Sequence, residues 1–280
     1  MSKIGVIGAG VMGVGVAQRF AQSCHEIILV DIDEQILVNC RNKIISNIKF
    51  FNMFNRNEMI NVDEVLDKID FTMDICKLGD ADFVIENVPE VIGMKRDIYK
   101  KIDKVCREEC IYLVNTSCIS ITKIGSFTNR PDRVIGTHFM NPVPMKKVVE
   151  VIRGVHTSDQ TISKVEKLLN SVGKESILVN DFPGFVSNRI SHLYMNEAVY
   201  VVQDGVASPE DVDAIFKKCF EHKMGPLETA DLIGLDTVVD SLEVLYESYQ
   251  DPKFKCCPLL KKMVDAGYRG RKSGRGFYEY

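Results

Sequence analysis

The stretch Ile4–Asp31, which reads IGVIGAGVMGVGVAQRFAQSCHEIILVD, decides the fold of the amino-terminal part of this 280-residue chain. A short apolar run leads into the turn GAGVMG at residues 8–13, and a helix-like segment follows as far as Gln22. A second apolar run then ends at Asp31. A strand, a glycine-rich turn, a helix and a second strand ending in an acid are the βαβ unit that binds dinucleotides.

Each position of the glycine-rich turn has a physical role in such a unit. Gly8 permits the tight turn, Gly10 leaves room for a pyrophosphate beside the backbone, and Gly13 lets the helix pack close to the strand. The first helical turn includes Val11 and Met12, and its backbone N–H groups would face the phosphates. The alternative is a tight turn in some other α/β protein.

Asp31 distinguishes between the possible dinucleotides. A carboxylate at the end of the second strand accepts hydrogen bonds from both ribose hydroxyls of NAD. The residues that follow are Ile32, Asp33 and Glu34, so no arginine is present there to hold the 2′-phosphate of NADP. The sequence therefore favours NAD, and FAD is the less favoured alternative.

Short apolar runs alternate with helix-period segments up to about residue 180. This alternation predicts an α/β fold with a parallel, doubly wound sheet of the Rossmann type. Two helices are placed in more detail: one at 93–106 with its apolar stripe at Met94, Ile98, Ile102 and Val105, and one at 158–170 capped by Thr157 and Gln160. The predicted strands contain residues 4–7, 27–30, 83–85, 111–114, 134–136, 148–152 and 177–179.

The pattern changes after Pro183-Gly184, where strand-like runs stop and helical periodicity continues to the carboxyl end. We expect an NAD-binding Rossmann-type domain at residues 1–183 and a small all-helical domain at residues 184–280. The helical part carries many apolar positions for its size, which indicates that some of its surface is buried against a second copy. A homodimer that associates through this domain is therefore expected.

Composition excludes several classes of function. The net charge of −4 argues against nucleic acid as a general partner. We find no apolar window long enough for a membrane span. The nine cysteines are scattered and show no zinc-ligand spacing, so we expect no metal site. Reduced thiols in a cytoplasmic protein are the simplest interpretation.

His138 and Glu150 are the first candidates for chemistry. His138 follows a predicted strand, and strand carboxyl ends are where open α/β sheets place their ligands. Glu150 lies 12 residues further on, within an apolar run, where a carboxylate requires a partner. A carboxylate beside an imidazole fixes its tautomer and favours the protonated ring, which suits a general base for a substrate hydroxyl. From spacing alone, a purely structural His–Glu pair is equally plausible.

The chain resembles the 3-hydroxyacyl-CoA dehydrogenase family over its whole length, and the short-chain 3-hydroxybutyryl-CoA members most of all. Many independent segments appear in the family's order, which makes the resemblance far more specific than the glycine motif alone. Besides the glycine-rich turn, the matching segments are Asn115–Ser117, Thr137–Phe139, Asn141–Pro144, Val149–Val151, Pro183–Val186 with Asn188-Arg189, Met224–Leu227, Ala230–Asp236 and Lys272–Tyr278.

The resemblance implies a role for each of several residues. His138 would remove the proton of the 3-hydroxyl group while hydride passes to NAD, and Glu150 would orient and charge His138. Ser117 and Asn188 would bind near the substrate oxygens. Cofactor contact or support is implied for Asp31, Glu90, Lys95, Asn115, Ser117, Asn141 and Lys272.

The implied substrate is a short acyl-CoA, and two other functions stay open. Arg41, Lys43, Lys49 and Arg56 could hold the coenzyme A phosphates, or they could form a solvated helix face. The protein could instead oxidise a free hydroxy acid or sugar acid. It could also be a non-catalytic NAD-binding relative, although such a protein need not keep His138, Glu150, Ser117 and Asn188 together.

Overall fold

A computed structural model describes residues 1–55 and 58–280, and these residues form two compact units, Met1–Asp181 and Phe182–Tyr280. The first unit holds a mostly parallel sheet with strand order β3-β2-β1-β4-β5-β6-β7-β8, in which only the β6–β7 pair is antiparallel. Its described strands are β1 (Lys3–Ile7), β2 (Glu26–Val30), β3 (Ile69–Thr72), β4 (Phe83–Glu86), β5 (Ile111–Val114), β6 (Val134–Phe139), β7 (Val148–Arg153) and β8 (Glu175–Asn180).

Helices cover the sheet and build the second unit. The first unit contains α1 (Val11–Gln22), α2 (Glu34–Phe54), α3 (Val62–Leu66), α4 (Ile92–Val105), α5 (Ile121–Gly125) and α6 (Asp159–Ser171). The second unit contains α7 (Ser187–Gln203), α8 (Pro209–Cys219), α9 (Pro226–Ile233), α10 (Leu235–Tyr249) and α11 (Pro258–Asp265). The expected fold class, a Rossmann-type sheet followed by a helical domain, is confirmed.

The central strands are apolar because both of their faces are covered. Every residue of β5 is buried, as are the residues of β6 and most of those of β1. The edge strand β8 departs from the expected pattern, since Ile177 and Leu178 are 50% and 42% exposed. An edge strand has a neighbour on one side only, so an apolar run there need not be buried.

The amino-terminal cap of α6 differs from the sequence prediction. Ser158, and not Thr157, caps the helix by accepting the N–H of Thr161 at 3.2 Å. The hydroxyl of Thr157 instead donates to the carbonyl of Val134 at 2.6 Å and accepts from Gly154. Both residue types favour caps, and the tertiary hydrogen bond to β6 decides between them.

The apolar stripe predicted for α4 is also only partly right. Lys95, Tyr99 and Ile102 are the residues that α4 buries. Met94 is exposed and Ile98 is half-buried, because both face a cavity on the ligand side of the sheet. Apolar periodicity finds a helix face but does not tell a packed core from the wall of a binding site.

Two buried carboxylates of the second unit, Asp213 and Asp231, accept hydrogen bonds from its carboxyl-terminal residues. Asp213 accepts the N–H groups of Leu227 and Glu228 at the start of α9, and the hydroxyl of Tyr278 donates to it at 2.7 Å. Asp231 accepts the N–H groups of Phe277 and Tyr278, both at 3.0 Å.

Among the described residues, no helix is long and apolar enough to cross a membrane.

Candidate active site

The glycine-rich turn lies where the order of the sheet reverses, between the carboxyl ends of β1 and β4. Gly8 has a φ of +89°, and a Cβ there would lie 2.9 Å from the carbonyl oxygen of Asn87. A Cβ at Gly13 would lie 1.8 Å from the carbonyl oxygen of Gly8. At Gly10 no atom lies within 4 Å of such a Cβ. Gly8 and Gly13 therefore serve the turn itself, while Gly10 leaves open space at the start of α1.

Asp31 stands beside this turn, directly after β2. Its Oδ2 accepts the N–H of Ala9 at 2.7 Å, and its Oδ1 accepts the N–H of Ile32 at 2.7 Å. Each carboxylate oxygen has a second acceptor position. Asp31 is thus oriented by the backbone and still has capacity for two hydroxyl donors, as a ribose would supply.

A cavity of about 880 Å³ runs along this edge of the sheet within the first unit. Polar groups line it at the turn, at Asp31 and at the ends of β5 and β6. Its lining residues include Gly8, Gly10, Val11, Met12, Asp31, Asn87, Glu90, Asn115, Thr116, Ser117 and His138. An apolar wall is formed by Ile36, Met73, Ile75, Met94 and Ile98.

His138 and Glu150 face each other because β6 and β7 run antiparallel. The strand register places the two residues directly opposite each other, so that 12 residues of chain separation become a direct contact. His138 Nδ1 lies 3.0 Å from Glu150 Oε2, and their side chains are 8% and 9% exposed. An ionised carboxylate can only accept, so Nδ1 donates and Nε2 is left as the basic nitrogen. Nε2 lies 3.3 Å from the hydroxyl of Ser117.

Glu90 and Asn115 hold the backbone around these groups. Glu90 accepts the N–H of Ser117 at 2.6 Å and the hydroxyl of Thr116 at 2.9 Å. Asn115 accepts the N–H of Phe139 at 3.3 Å and therefore joins the end of β5 to the end of β6. These bonds set the distance between Ser117 and His138.

Asn87 is a site residue whose role the sequence did not reveal. Its side-chain oxygen accepts from the amide of Asn115 at 2.7 Å, and its own amide donates to the carbonyl of Ile85 at 3.1 Å. Asn115 is therefore held in one orientation. No local pattern around Asn87 signals this role, because its partner Asn115 follows a different strand.

Lys95 lies beneath the cavity and is not one of the residues lining it. Its side chain is 0% exposed, and its ammonium donates to both carboxylate oxygens of Glu86, at 2.8 and 2.9 Å. It also donates to the carbonyl of Asn115 at 3.2 Å. Burial raises the pKa of Glu86, and the charge of Lys95 opposes that rise. The structure thus places Lys95 as a support of β4 and β5.

We expect the variant Lys95→Met to destabilise the protein by about 3–5 kcal/mol, because it leaves the carboxylate of Glu86 buried and unpaired. Thermal and urea unfolding measure this change. Lys77→Met is the matched control, since Lys77 forms an exposed pair with Asp70 at 2.8 Å and should cost about 1 kcal/mol or less. Equal losses for both variants would contradict a dominant role for the buried pair.

Asn141, Asn188 and Lys272 lie outside the lining of the cavity. Asn141 is exposed after β6 and precedes a cis proline, Pro142. Asn188 lies in the first turn of α7, where its carbonyl accepts from His192 Nδ1 at 2.9 Å. Lys272 pairs with Asp236 at 2.5 Å in the second unit. The structure therefore brings His138, Glu150 and Ser117 together in the first unit. Asn141 belongs to the same unit but does not line the cavity, and Asn188 and Lys272 belong to the second unit.

Three of the four basic residues considered for coenzyme A lie on α2. Arg41, Lys43 and Lys49 are all exposed there, while Arg56 lies outside the described residues. No group of three or more His, Cys, Asp or Glu side chains in the described part of the chain could hold a metal ion.

The chain matches known proteins along nearly its entire length. Residues 3–182 match the NAD-binding domain of 3-hydroxyacyl-CoA dehydrogenase, and residues 184–280 match its C-terminal domain. A 3-hydroxybutyryl-CoA dehydrogenase of Clostridioides difficile is 42% identical over 99% of both chains. One from Bradyrhizobium diazoefficiens is 40% identical over 100% of this chain and 96% of its own.

Solved structures lead to the same family. The crystal structure of (S)-3-hydroxybutyryl-CoA dehydrogenase from Ralstonia eutropha superposes with a TM-score of 0.95. It is 41% identical and covers 100% of this chain and 99% of its own. The shared domains, the full-length identity and the common fold show that the chain belongs to the 3-hydroxyacyl-CoA dehydrogenase family.

Proposed function

We propose that this protein is an NAD-dependent dehydrogenase that interconverts short (S)-3-hydroxyacyl-CoA and 3-oxoacyl-CoA thioesters, with 3-hydroxybutyryl-CoA and acetoacetyl-CoA as the preferred pair. The observation that carries the proposal is one cavity that contains both the glycine-rich turn and the His138–Ser117 pair. The names of the relatives support the thioester and its chain length.

The first unit fits NAD at three points. The open space at Gly10 accepts a pyrophosphate beside the start of α1. Asp31 retains acceptor capacity for two ribose hydroxyls and would repel a 2′-phosphate. The cavity extends from Asp31 to His138, so a dinucleotide held at Asp31 would reach the base with its far end. NAD, when bound, accepts or supplies the hydride at C3 of the substrate.

The chain's own residues handle the proton. In the oxidation, His138 Nε2 takes the proton of the 3-hydroxyl group, and the negative charge of Glu150 stabilises the imidazolium that forms. In the reduction, the same imidazolium returns the proton to the oxygen. Ser117 and Asn188 act as neutral hydrogen-bond donors to the substrate oxygens, so they polarise a 3-oxo group without competing for the proton.

The remaining assignments concern the cofactor. We assign direct contacts to the turn residues Gly8 to Gly13, and to Asp31, Glu90, Ser117, Asn141 and Lys272. Lys95 and Asn115 act as supports, since Lys95 is buried against Glu86 and Asn115 joins two strand ends. The first domain, residues 1–183, would bind NAD, and residues 184–280 would contribute to substrate binding and to dimer formation.

The primary test follows the absorbance of NADH while acetoacetyl-CoA or free acetoacetate is added to the purified protein. We expect the thioester to be reduced and the free acid to be left unchanged. Turnover of free acetoacetate would favour a dehydrogenase of free hydroxy acids. Tight NADH binding without turnover of either compound would favour a non-catalytic relative.

Glu150→Gln should lower kcat by about 10²-fold, because the neutral amide no longer stabilises the imidazolium. Measurement of kcat at saturating acetoacetyl-CoA and NADH tests this expectation. Glu175→Gln is the control, since Glu175 is an exposed carboxylate on the edge strand β8. A native kcat in the Glu150 variant would show that this carboxylate has no part in the proton transfer.

The proposed homodimer would associate through the second unit. This unit exposes large apolar side chains, among them Ile190, Ile215, Phe220 and Leu232, which a second copy would cover. Light scattering at several protein concentrations measures the oligomeric state.

The proposed location is the cytoplasm. Cys256 and Cys257 are adjacent buried thiols, a state typical of a reducing compartment.

A further inference from the structure

Lys174 is a buried lysine that the proposed chemistry leaves unused. It follows the positive-φ residue Gly173 at the end of α6 and is only 3% exposed. Its ammonium donates to the carbonyl oxygens of Val143 and Lys146, both at 2.6 Å. One side chain therefore links two points of the same connecting segment.

That segment, residues 140–147, joins β6 to β7 and carries Asn141. It packs closely on α1, since a Cβ placed on Gly15 would lie 3.0 Å from Cβ of Val143 and 3.5 Å from Pro144. Its internal bonds run from the N–H groups of Met145 and Lys146 to the carbonyl of Pro142. Lys174 adds a side-chain donor to two further carbonyls of this segment, those of Val143 and Lys146.

Lys174 stays buried although burial disfavours its charged form. Burial lowers the pKa of Lys174 to about 8, and the nearby positive charge of Arg19 on α1 acts in the same direction. Lys146, Lys147 and Glu175 are the exposed charged residues on the neighbouring backbone. A methionine of similar length would avoid the cost of burying an ammonium ion, so the two hydrogen bonds are what the cation contributes.

We propose that Lys174 is a positioning residue for the cofactor: it ties the 140–147 segment, which packs on α1, to the turn between α6 and β8 and thereby keeps Asn141 in place for the dinucleotide. This rests on the proposed function of Asn141. Removal of the ammonium leaves two carbonyls without their donor and releases the segment from the turn between α6 and β8. His138 is held separately, by the β6–β7 register and by Glu150. The affinity for NADH should therefore fall, while kcat at saturating NADH should change little.

A double-mutant cycle tests the route through Asn141. The dissociation constant of NADH is measured by fluorescence titration for the native protein, Lys174→Met, Asn141→Ala and the double variant, together with kcat and Tm. We expect Lys174→Met alone to weaken NADH binding about tenfold. In the Asn141→Ala background the same change should have less than a twofold effect, because the contact that it positions is already gone.

A matched control separates positioning from general loss of stability. Val165→Ala removes buried volume from α6 and should lower Tm without weakening NADH binding. Lys174→Arg, which keeps a cation and several donors, should recover part of the lost affinity. If Lys174→Met does not fold, the cycle is run with Lys174→Gln, whose amide donates without the charge and should therefore weaken NADH binding by less than about tenfold.

Three results would overturn the proposal: additive effects of the two substitutions, native affinity in the lysine variant, or an equal loss of affinity in Val165→Ala. Native affinity in Asn141→Ala would also overturn it, since no contact would remain for Lys174 to position. Turnover of acetoacetyl-CoA by the native protein, measured in the same preparations, shows separately whether the proposed function holds.

Discussion

The variant His138→Gln is expected to lose activity by about 10²–10⁴-fold in kcat while it still binds NADH. Glutamine is of similar size but has no nitrogen that takes up a proton near neutral pH. The imidazole is also the group that connects Ser117 to Glu150, with distances of 3.3 and 3.0 Å. The loss should therefore appear in the hydride-transfer step and not in cofactor affinity. Steady-state rates with acetoacetyl-CoA and a fluorescence titration with NADH measure the two effects.

His25→Gln is the matched control for that experiment. His25 is also a buried histidine of the first unit, with its Nε2 3.0 Å from the hydroxyl of Ser171. It does not line the cavity, so kcat should stay near the native value even if Tm falls. A His138→Gln enzyme that keeps kcat within about threefold of native would place the general base elsewhere.

The second large effect is expected from Gly13→Ala. A Cβ at this position would lie 1.8 Å from the carbonyl oxygen of Gly8, so α1 must move away from β1 or the turn must open. Such overpacking typically costs about 1–3 kcal/mol or more. The displaced helix start should also lose its affinity for the pyrophosphate. We expect a clear drop in Tm together with loss of NADH binding.

Gly10→Ala separates the two roles of the glycines. No atom lies within 4 Å of a Cβ at Gly10, and its φ of −72° suits any residue. The fold should therefore keep its Tm, while the added methyl group occupies space needed by the pyrophosphate and weakens NADH binding about tenfold or more. Equal losses of Tm in the two variants, or native NADH affinity in Gly10→Ala, would contradict the assignment of this space to the cofactor.

Local physics explains which elements the sequence could predict. β-branched runs such as Ile111–Val114 lie in the centre of the sheet, where burial on both faces requires continuous apolar residues. The strand β3, Ile69–Thr72, was missed because its apolar run is interrupted by the exposed Asp70. Its assignment depends on pairing with β2, which is a tertiary interaction without a local signal.

The residues of the candidate site also fall into two groups, those that the sequence could predict and those that it could not. The glycine-rich turn and Asp31 were identifiable because their roles depend on backbone geometry within one βαβ unit. The buried position of Lys95 was not, because a lysine on a helix normally faces solvent. Its partner Glu86 lies on a different element, and only the packing of α4 on the sheet brings the two charges together.

The sequence by itself determined that an NAD-type turn opens the chain, that a helical part follows about residue 183, and that His138 and Glu150 are candidates for one pair. These features depend on short-range patterns of glycine, charge and apolar periodicity. Only the tertiary structure decided that β6 and β7 run antiparallel, which sets His138 opposite Glu150, and that the ends of β5 and β6 meet, which brings Ser117 within 3.3 Å of His138. It also placed Lys174 under the 140–147 segment. Such contacts join residues far apart in the chain, and their energy arises only when the packed core brings the elements together.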